Sequence, residues 1–141
     1  MTAESDLSSR AEVGALLDRY LLDLDGGGLD EAWARSLFTE DAVVAFPVGR
    51  HEGVEGLAAF HRTALAKFAS TQHLNSPAVV ELDGDRAELR ANLVSTQVRP
   101  DGALFTTGTR ADGVASRTAS GWRLRSLSFH LIWSTGSPHP A

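Results

Sequence analysis

Apolar residues recur along the first part of the chain at helical spacing. Val13, Leu16, Leu17, Tyr20, Leu21 and Leu24 fall three and four residues apart, the stripe of an amphipathic helix. Ser9 and Glu12 stand in the S-x-x-E relation of a capping box, which places the helix start at residue 9 and its end near 25. Gly26-Gly27-Gly28 stops it, since glycine enters the left-handed region at little cost. Asp30 is the N-cap candidate for a short second helix over 30–38 that carries Trp33, Leu37 and Phe38. The run from Val43 to Phe46, closed by Pro47, reads as a strand. A third helix is expected over 53–69, with Leu57, Phe60, Ala64 and Phe68 on one side.

Beyond residue 70 the pattern changes to strands. Gln72 to Leu82 reads as one strand, with Pro77 marking a bulge or an edge. Asp83-Gly84-Asp85 is a hairpin turn, and Ala87 to Val98 the returning strand. Pro100-Asp101-Gly102 turns the chain again. Phe105 to Ser116 has little apolar content and reads as a strand from its threonines. Ser120-Gly121 leads into a last strand, Trp122 to Trp133, on which Leu127, Phe129, Leu131 and Trp133 share a face by alternation.

Three helices followed by such a meander predict an α+β fold, the helices packed on one face of a curved antiparallel sheet. One unit over 1–141 is expected, with loose ends at about 1–7 and 135–141. A sheet curled around helices forms a cone with an open mouth, suited to a small and mostly apolar ligand. Its other face would expose large apolar side chains unless a second copy covered it, so a symmetric homodimer is expected.

Composition narrows the chemistry. Of 141 residues, 43% are hydrophobic and 22% charged, enough to bury a real core. A net charge of −5 argues against nucleic acid and against an anionic membrane surface as partners. With no cysteine, disulfides, thiolate nucleophiles and cysteine-ligated zinc are excluded. Residues 1–10 lack the basic and apolar regions of a secretory leader, and no apolar run approaches the ~18 residues of a membrane span, so the expected location is the cytoplasm. The histidines are scattered, without an H-x-H or H-x-x-x-H pair. Neither a phosphate loop nor a G-x-S-x-G elbow is present. No metal and no cofactor is expected.

The informative carboxylate is Asp25. It lies four residues after Leu21 and eight after Leu17 and so shares their inward stripe, at a helix C-terminus where the macrodipole disfavours an anion. It either takes a cationic partner or a proton there, both suited to acid/base work, or it caps the turn into Gly26. Asp23 falls about 200° around the helix from Asp25, on the outer side with Arg19, where a solvated ion pair is expected. His73 begins a strand and alternates inward with Asn75; histidine is the natural proton shuttle near neutral pH, or else a satisfied core residue. Tyr20, the single tyrosine, either polarises an oxygen of a ligand or packs in the core with its hydroxyl tied to a neighbour. His61, four residues after Leu57, either closes a pocket floor or is a half-buried helix histidine. His130 shares a face with Ser126 and Ser128 and lines either the mouth or an oligomer face.

In order along the chain, Tyr20-Leu21-Leu22-Asp23-Leu24-Asp25, Leu37-Phe38-Thr39-Glu40-Asp41-Ala42-Val43, Gly53-Val54-Glu55-Gly56-Leu57, Thr71-Gln72-His73-Leu74-Asn75, Gly84-Asp85-Arg86-Ala87 and Gly121-Trp122-Arg123-Leu124 resemble the landmarks of SnoaL-like domains in the NTF2-like superfamily. The resemblance covers nearly the whole chain. It implies a cone-shaped α+β barrel, often dimeric through the outer sheet face. Its members include polyketide cyclases, scytalone and bile-acid dehydratases, ketosteroid isomerases, epoxide hydrolases and proteins without known activity, so fold alone does not name a reaction.

The resemblance also implies roles for Asp25 and His73, because the dehydratases place an aspartate five residues after the tyrosine and a histidine next to it. Two departures stand out. Asn75 falls one place early, and where the dehydratases carry a further acidic or histidine residue this chain has Thr96, Gln97 and Val98, leaving Asn92, Ser95 or Gln97 to supply hydrogen bonds. The expectation is therefore a cofactor-independent cyclase, dehydratase or isomerase for a hydrophobic oxygenated small molecule such as a polyketide, terpenoid or steroid-like compound. Asp25, His73 and Tyr20 would be catalytic; Asn75, Trp33, Phe60 and His130 would contact the ligand. The alternative, favoured by the missing polar residue, is a non-catalytic NTF2-like module for ligand binding or dimerisation.

Overall fold

The computed structural model describes residues 3–140. Helices α1 (Ala3–Gly26) and α2 (Glu31–Leu37) lead into strands β1 (Phe38–Phe46) and β2 (Gly49–Glu52). Helix α3 (Leu57–Leu65) precedes β3 (Ser70–Asn75), β4 (Val79–Asp83), β5 (Arg86–Val98), β6 (Leu104–Thr118) and β7 (Gly121–Thr135).

Helix α1 begins before the expected capping box and includes residues 3–7, which had been expected to be loose; residues 1, 2 and 141 lie outside the described residues. Ser9 is therefore inside the helix and buried, and its hydroxyl accepts a hydrogen bond from Arg117 Nη2 at 3.0 Å that ties α1 to β6. Gly27 and Gly28 follow α1 at φ +73°, the left-handed conformation that ends the helix there. Asp30 caps α2 as expected, accepting from the Trp33 backbone N–H at 2.8 Å. Helix α3 is shorter than 53–69. The Gly53 and Val54 backbone N–H groups donate to the Ala42 and Glu40 carbonyls of the β1 segment, so residues 53–54 follow that strand before the helix can start.

Seven strands form one mixed sheet in the order β2-β1-β7-β6-β5-β3, with β4 also paired to β5. The stretch 72–82 is two strands, not one. Pro77 has no N–H to give a ladder, and β3 and β4 lie along different halves of β5 on either side of it. The strands from β5 to β7 form the expected antiparallel meander, whereas β1 runs parallel to β7.

Two bulges in β7 decide which side chains face the helices. Arg125 and Ile132 are each extra against β6, between the pairs Val114–Ser126 and Ala115–Leu124 and between Gly108–Trp133 and Thr109–Leu131. The first lets Leu124 and Leu127, three apart, both turn inward and become fully buried. The second breaks the expected single face of Leu127, Phe129, Leu131 and Trp133. Trp133 is turned to the outer face, where its indole lies on Gly108; a Cβ at Gly108 would sit 2.0 Å from the indole nitrogen. Leu74, Val94, Gly108 and Trp133 pair in register across four strands on that outer face, and Leu74 and Trp133 are 63% and 46% exposed.

The α1 stripe packs on the inner face through Val13, Leu16, Leu17, Tyr20, Leu21 and Leu24. The inside of the cone is filled by aromatic rings rather than left open. Tyr20 stands among Trp33, Phe38, His61 and Phe129 with ring centroids 5.4–6.2 Å away, and Phe46 stacks on Phe129 at 4.9 Å.

Candidate active site

Asp25 closes the inward stripe of α1, whose last turn holds no basic residue to balance it. The balance comes from β3. Alternation turns Thr71, His73 and Asn75 toward the helices and Gln72 and Leu74 away, seen directly in their burial. The Asp25 carboxylate then receives three donors. His73 Nδ1 lies 2.6 Å from Oδ1, the Thr71 hydroxyl donates to the same oxygen at 2.9 Å, and the His73 backbone N–H donates to Oδ2 at 2.8 Å. The side chains of His73 and Asp25 are 9% and 18% exposed. A carboxylate only accepts, so His73 carries a proton on Nδ1, and its Nε2 takes no partner from the described residues. This is the arrangement of a base oriented by a carboxylate, with Thr71 and the strand backbone orienting the carboxylate in turn.

The other candidates fall elsewhere. Tyr20 is fully buried, and its hydroxyl donates to His61 Nε2 at 2.7 Å, while His61 Nδ1–H donates to the Leu57 carbonyl at 2.8 Å. Burial pushes the Tyr20 phenol far above its ordinary range and the His61 imidazole down to about 4, so both stay neutral. Tyr20 therefore takes the core alternative, because its one hydroxyl is spent within the aromatic cluster. Asn75 donates to Asp18 Oδ1 at 2.9 Å and pins β3 to the outer flank of α1. Trp33 donates its indole N–H to Asp23 Oδ2 at 3.0 Å, so Asp23 anchors a core ring instead of pairing with Arg19 in solvent. Phe60 packs on Phe46, His51 and His61.

His130 lies on the outer face of the sheet, 3.1 Å from Asp112 Oδ2, beside a cleft of about 310 Å³ that also meets Glu81, Glu88, Ser126 and Ser128. That cleft touches neither Asp25 nor His73. Of the three residues left to replace the missing polar group, Asn92 is exposed on the outer face, whereas Ser95 pairs with His73 and Gln97 with Thr71 on the inner face. Thr71 opens one of the landmark segments in the sequence but was given no role in the site, although it stands two residues before His73 on the same side of the strand.

A helical layer thus packs against a curved, unclosed mixed sheet, the architecture of NTF2-like cone folds, with the Asp25–His73 pair at the junction of α1 and β3. A family model described as a SnoaL-like domain matches residues 5–128, and the chain belongs to that family. Among solved structures it is similar to the Kfla4162 protein of Kribbella flavida, at 25% identity and TM-score 0.84 over 92% of this chain and 95% of that one. An NTF2-like superfamily protein of Salmonella enterica serovar Typhimurium is similar at 23% identity and TM-score 0.81, over 93% and 96%. The hexachlorocyclohexane dehydrochlorinase LinA-type3 of Novosphingobium barchaimii shares the fold at 16% identity and TM-score 0.84, over 95% and 93%. No curated protein matches.

Proposed function

We propose that this protein is a cofactor-independent acid/base enzyme that removes a proton from a hydrophobic oxygenated small molecule, such as a polyketide, terpenoid or steroid-like compound, in an elimination, cyclisation or isomerisation. The observation that carries the reading is the Asp25–His73 pair with Nε2 unengaged. His73 Nε2 takes the proton, the imidazolium so formed sits 2.6 Å from the Asp25 carboxylate, and the same nitrogen returns the proton to a leaving oxygen or to a neighbouring carbon. One positioned base contributes ~10²–10⁴-fold in rate. A fold neighbour named as a dehydrochlorinase fits an elimination, and the family resemblance puts dehydratases beside it. The test needs no natural substrate. 5-Nitrobenzisoxazole opens to a coloured phenolate when a base removes its carbon-bound proton. The protein should accelerate this opening, and His73→Ala should lower the rate at least ~10²-fold. Equal rates for the two proteins would overturn the reading.

The same reading includes a symmetric homodimer through the outer sheet face, where Leu74, Val94 and Trp133 form an exposed apolar row. Light scattering at micromolar concentration should give twice the chain mass; a monomer would refute it. A second reading, a ligand-binding or dimerisation module without catalysis, draws on one observation: rings fill the cone, and the 310 Å³ cleft opens on the face away from His73. No helix among the described residues is long and apolar enough to cross a membrane.

A further inference from the structure

An aspartate followed by glycine is the backbone step most prone to close on itself, because the glycine nitrogen reaches the carboxyl carbon with no side chain in the way. The chain holds four such steps, Asp25-Gly26, Asp83-Gly84, Asp101-Gly102 and Asp112-Gly113. Folding engages three of them. The Asp25 carboxylate is held by Thr71 and His73, and Gly26 is the last residue of α1, with its N–H in the helical ladder. Asp101 accepts from the Ala103 backbone N–H at 3.1 Å and pairs with Arg99, while the Gly102 N–H donates to the Arg99 carbonyl at 2.9 Å. Asp112 pairs with His130, and Gly113 lies within β6 between Leu89 and Leu127. Asp83-Gly84 differs on every count. Both residues are exposed at the tip of the β4–β5 hairpin, where Gly84 and Asp85 form the loop between the paired Asp83 and Arg86. Neither the Asp83 carboxylate nor the Gly84 N–H has a partner among the described residues. Gly84 stands at φ +61°, and the space where a Cβ would sit is open.

We propose that Asp83 is a modification site, where the backbone isomerises spontaneously to the isoaspartyl form ahead of every other Asp-Gly step of the folded protein. The Gly84 nitrogen attacks Asp83 Cγ, the hydroxyl of the carboxylic acid leaves with the amide proton as water, and a five-membered succinimide closes. Water then adds back. Opening at Cγ restores aspartate; opening at the α-carbonyl runs the backbone through Cβ and Cγ and leaves the α-carboxylate as the side group. Water is the only co-reactant. The consequence is geometric. One extra backbone carbon enters where the hairpin loop has only two residues, so the Asp83–Arg86 pair loses its register and the ladder back to Val79–Arg90 is strained from its closed end. β4 also anchors α1, since Val80 is buried in the core and its carbonyl accepts from Arg10. β3, which carries His73, pairs with the other half of β5. Ageing at Asp83 therefore loosens β4 against α1 and spares the Asp25–His73 pair.

The test keeps the folded protein warm for several weeks at neutral pH, beside a sample held unfolded in urea. Tryptic cleavage puts the four steps on separate peptides, 20–35, 68–86, 91–110 and 111–117, and electron-transfer fragmentation reads isoaspartate at each aspartate. In the folded protein position 83 should carry at least about ten times more isoaspartate than position 25, 101 or 112, because modification draws on the locally open fraction. In urea the four positions should come within about threefold of one another, since nothing then shields any of them. Asp83→Glu keeps the charge but would have to close a six-membered ring, so position 83 should stay unmodified. Its melting temperature should hold through ageing, while that of the natural sequence falls. Equal levels at the four positions of the folded protein, another position in the lead, the folded-state order persisting in urea, or an equal fall in melting temperature for Asp83→Glu would each overturn the proposal.

Discussion

Acidification should destabilise this protein through a single buried histidine. His61 is 3% exposed, locked between the Tyr20 hydroxyl and the Leu57 carbonyl, and ringed by Trp33, Phe46 and Phe60. Burial is the main reason its imidazole is held at about 4 instead of 6.5; the Leu57 carbonyl works against that and nearby His51 reinforces it. As pH falls below 6.5 the unfolded chain takes up a proton that the folded chain refuses, so stability is fully present above 6.5 and drains away until pH 4. The gap corresponds to about 3 kcal/mol, a large part of the 5–15 kcal/mol that holds a typical domain. Urea unfolding at a series of pH values reads it directly. With a slope of about 2 kcal/mol per molar urea, the midpoint should drop by about 1.5 M between pH 7 and pH 4 beyond whatever the carboxylates contribute. His61→Gln isolates the effect, since the amide can accept from Tyr20 and donate to Leu57 but does not titrate. The variant will be less stable at pH 7 and should lose about 3 kcal/mol less on acidification. If both proteins lose the same amount, the imidazole is not held neutral by burial and the reasoning fails.

Two further outcomes follow from single contacts. Thr71→Val removes one of the three donors on the Asp25 carboxylate and should slow benzisoxazole opening about tenfold while moving the melting temperature little; an unchanged rate would mean that Thr71 does not position the aspartate. Gly108→Ala places a methyl where the Trp133 indole lies, so the ring must leave; the cost should be about 1–3 kcal/mol in chemical denaturation, with a shift in tryptophan emission, and an unchanged spectrum would refute the packing.

The Asp25–His73 pair of the candidate site was legible because two independent periods converge on it. Helical spacing carries Asp25 inward with Leu17 and Leu21, and strand alternation carries His73 inward. Alternation gives a direction but not a partner. That is why Tyr20 and Asn75 pointed plausibly into a site yet meet His61 and Asp18, whose contacts exist only after folding. Ser9 fits the chemistry of a cap, and nothing in the polar residues before it stops the helix from running on to Ala3. The bulges at Arg125 and Ile132 change the face of every residue beyond them and leave no mark in the pattern of apolar residues, so Trp133 was assigned to the wrong side. The parallel contact of β1 with β7 joins segments such as Phe38 and Leu124 that no local pattern connects.

That last contact governs how the chain can be made. β7 lies between β1 and β6, so the two sides of the sheet meet only on β7, the last of the seven described strands to be synthesised. Until residues 121–135 emerge, β1 and β2 have no strand neighbour but each other, and a lone hairpin is marginal in water. Pairings so distant along the chain form slowly, and the waiting intermediate exposes bare strand edges. A translation product halted before Gly121 would hold β1 and β6 unpaired on the sides meant for β7, each a template for the same strand of another nascent chain.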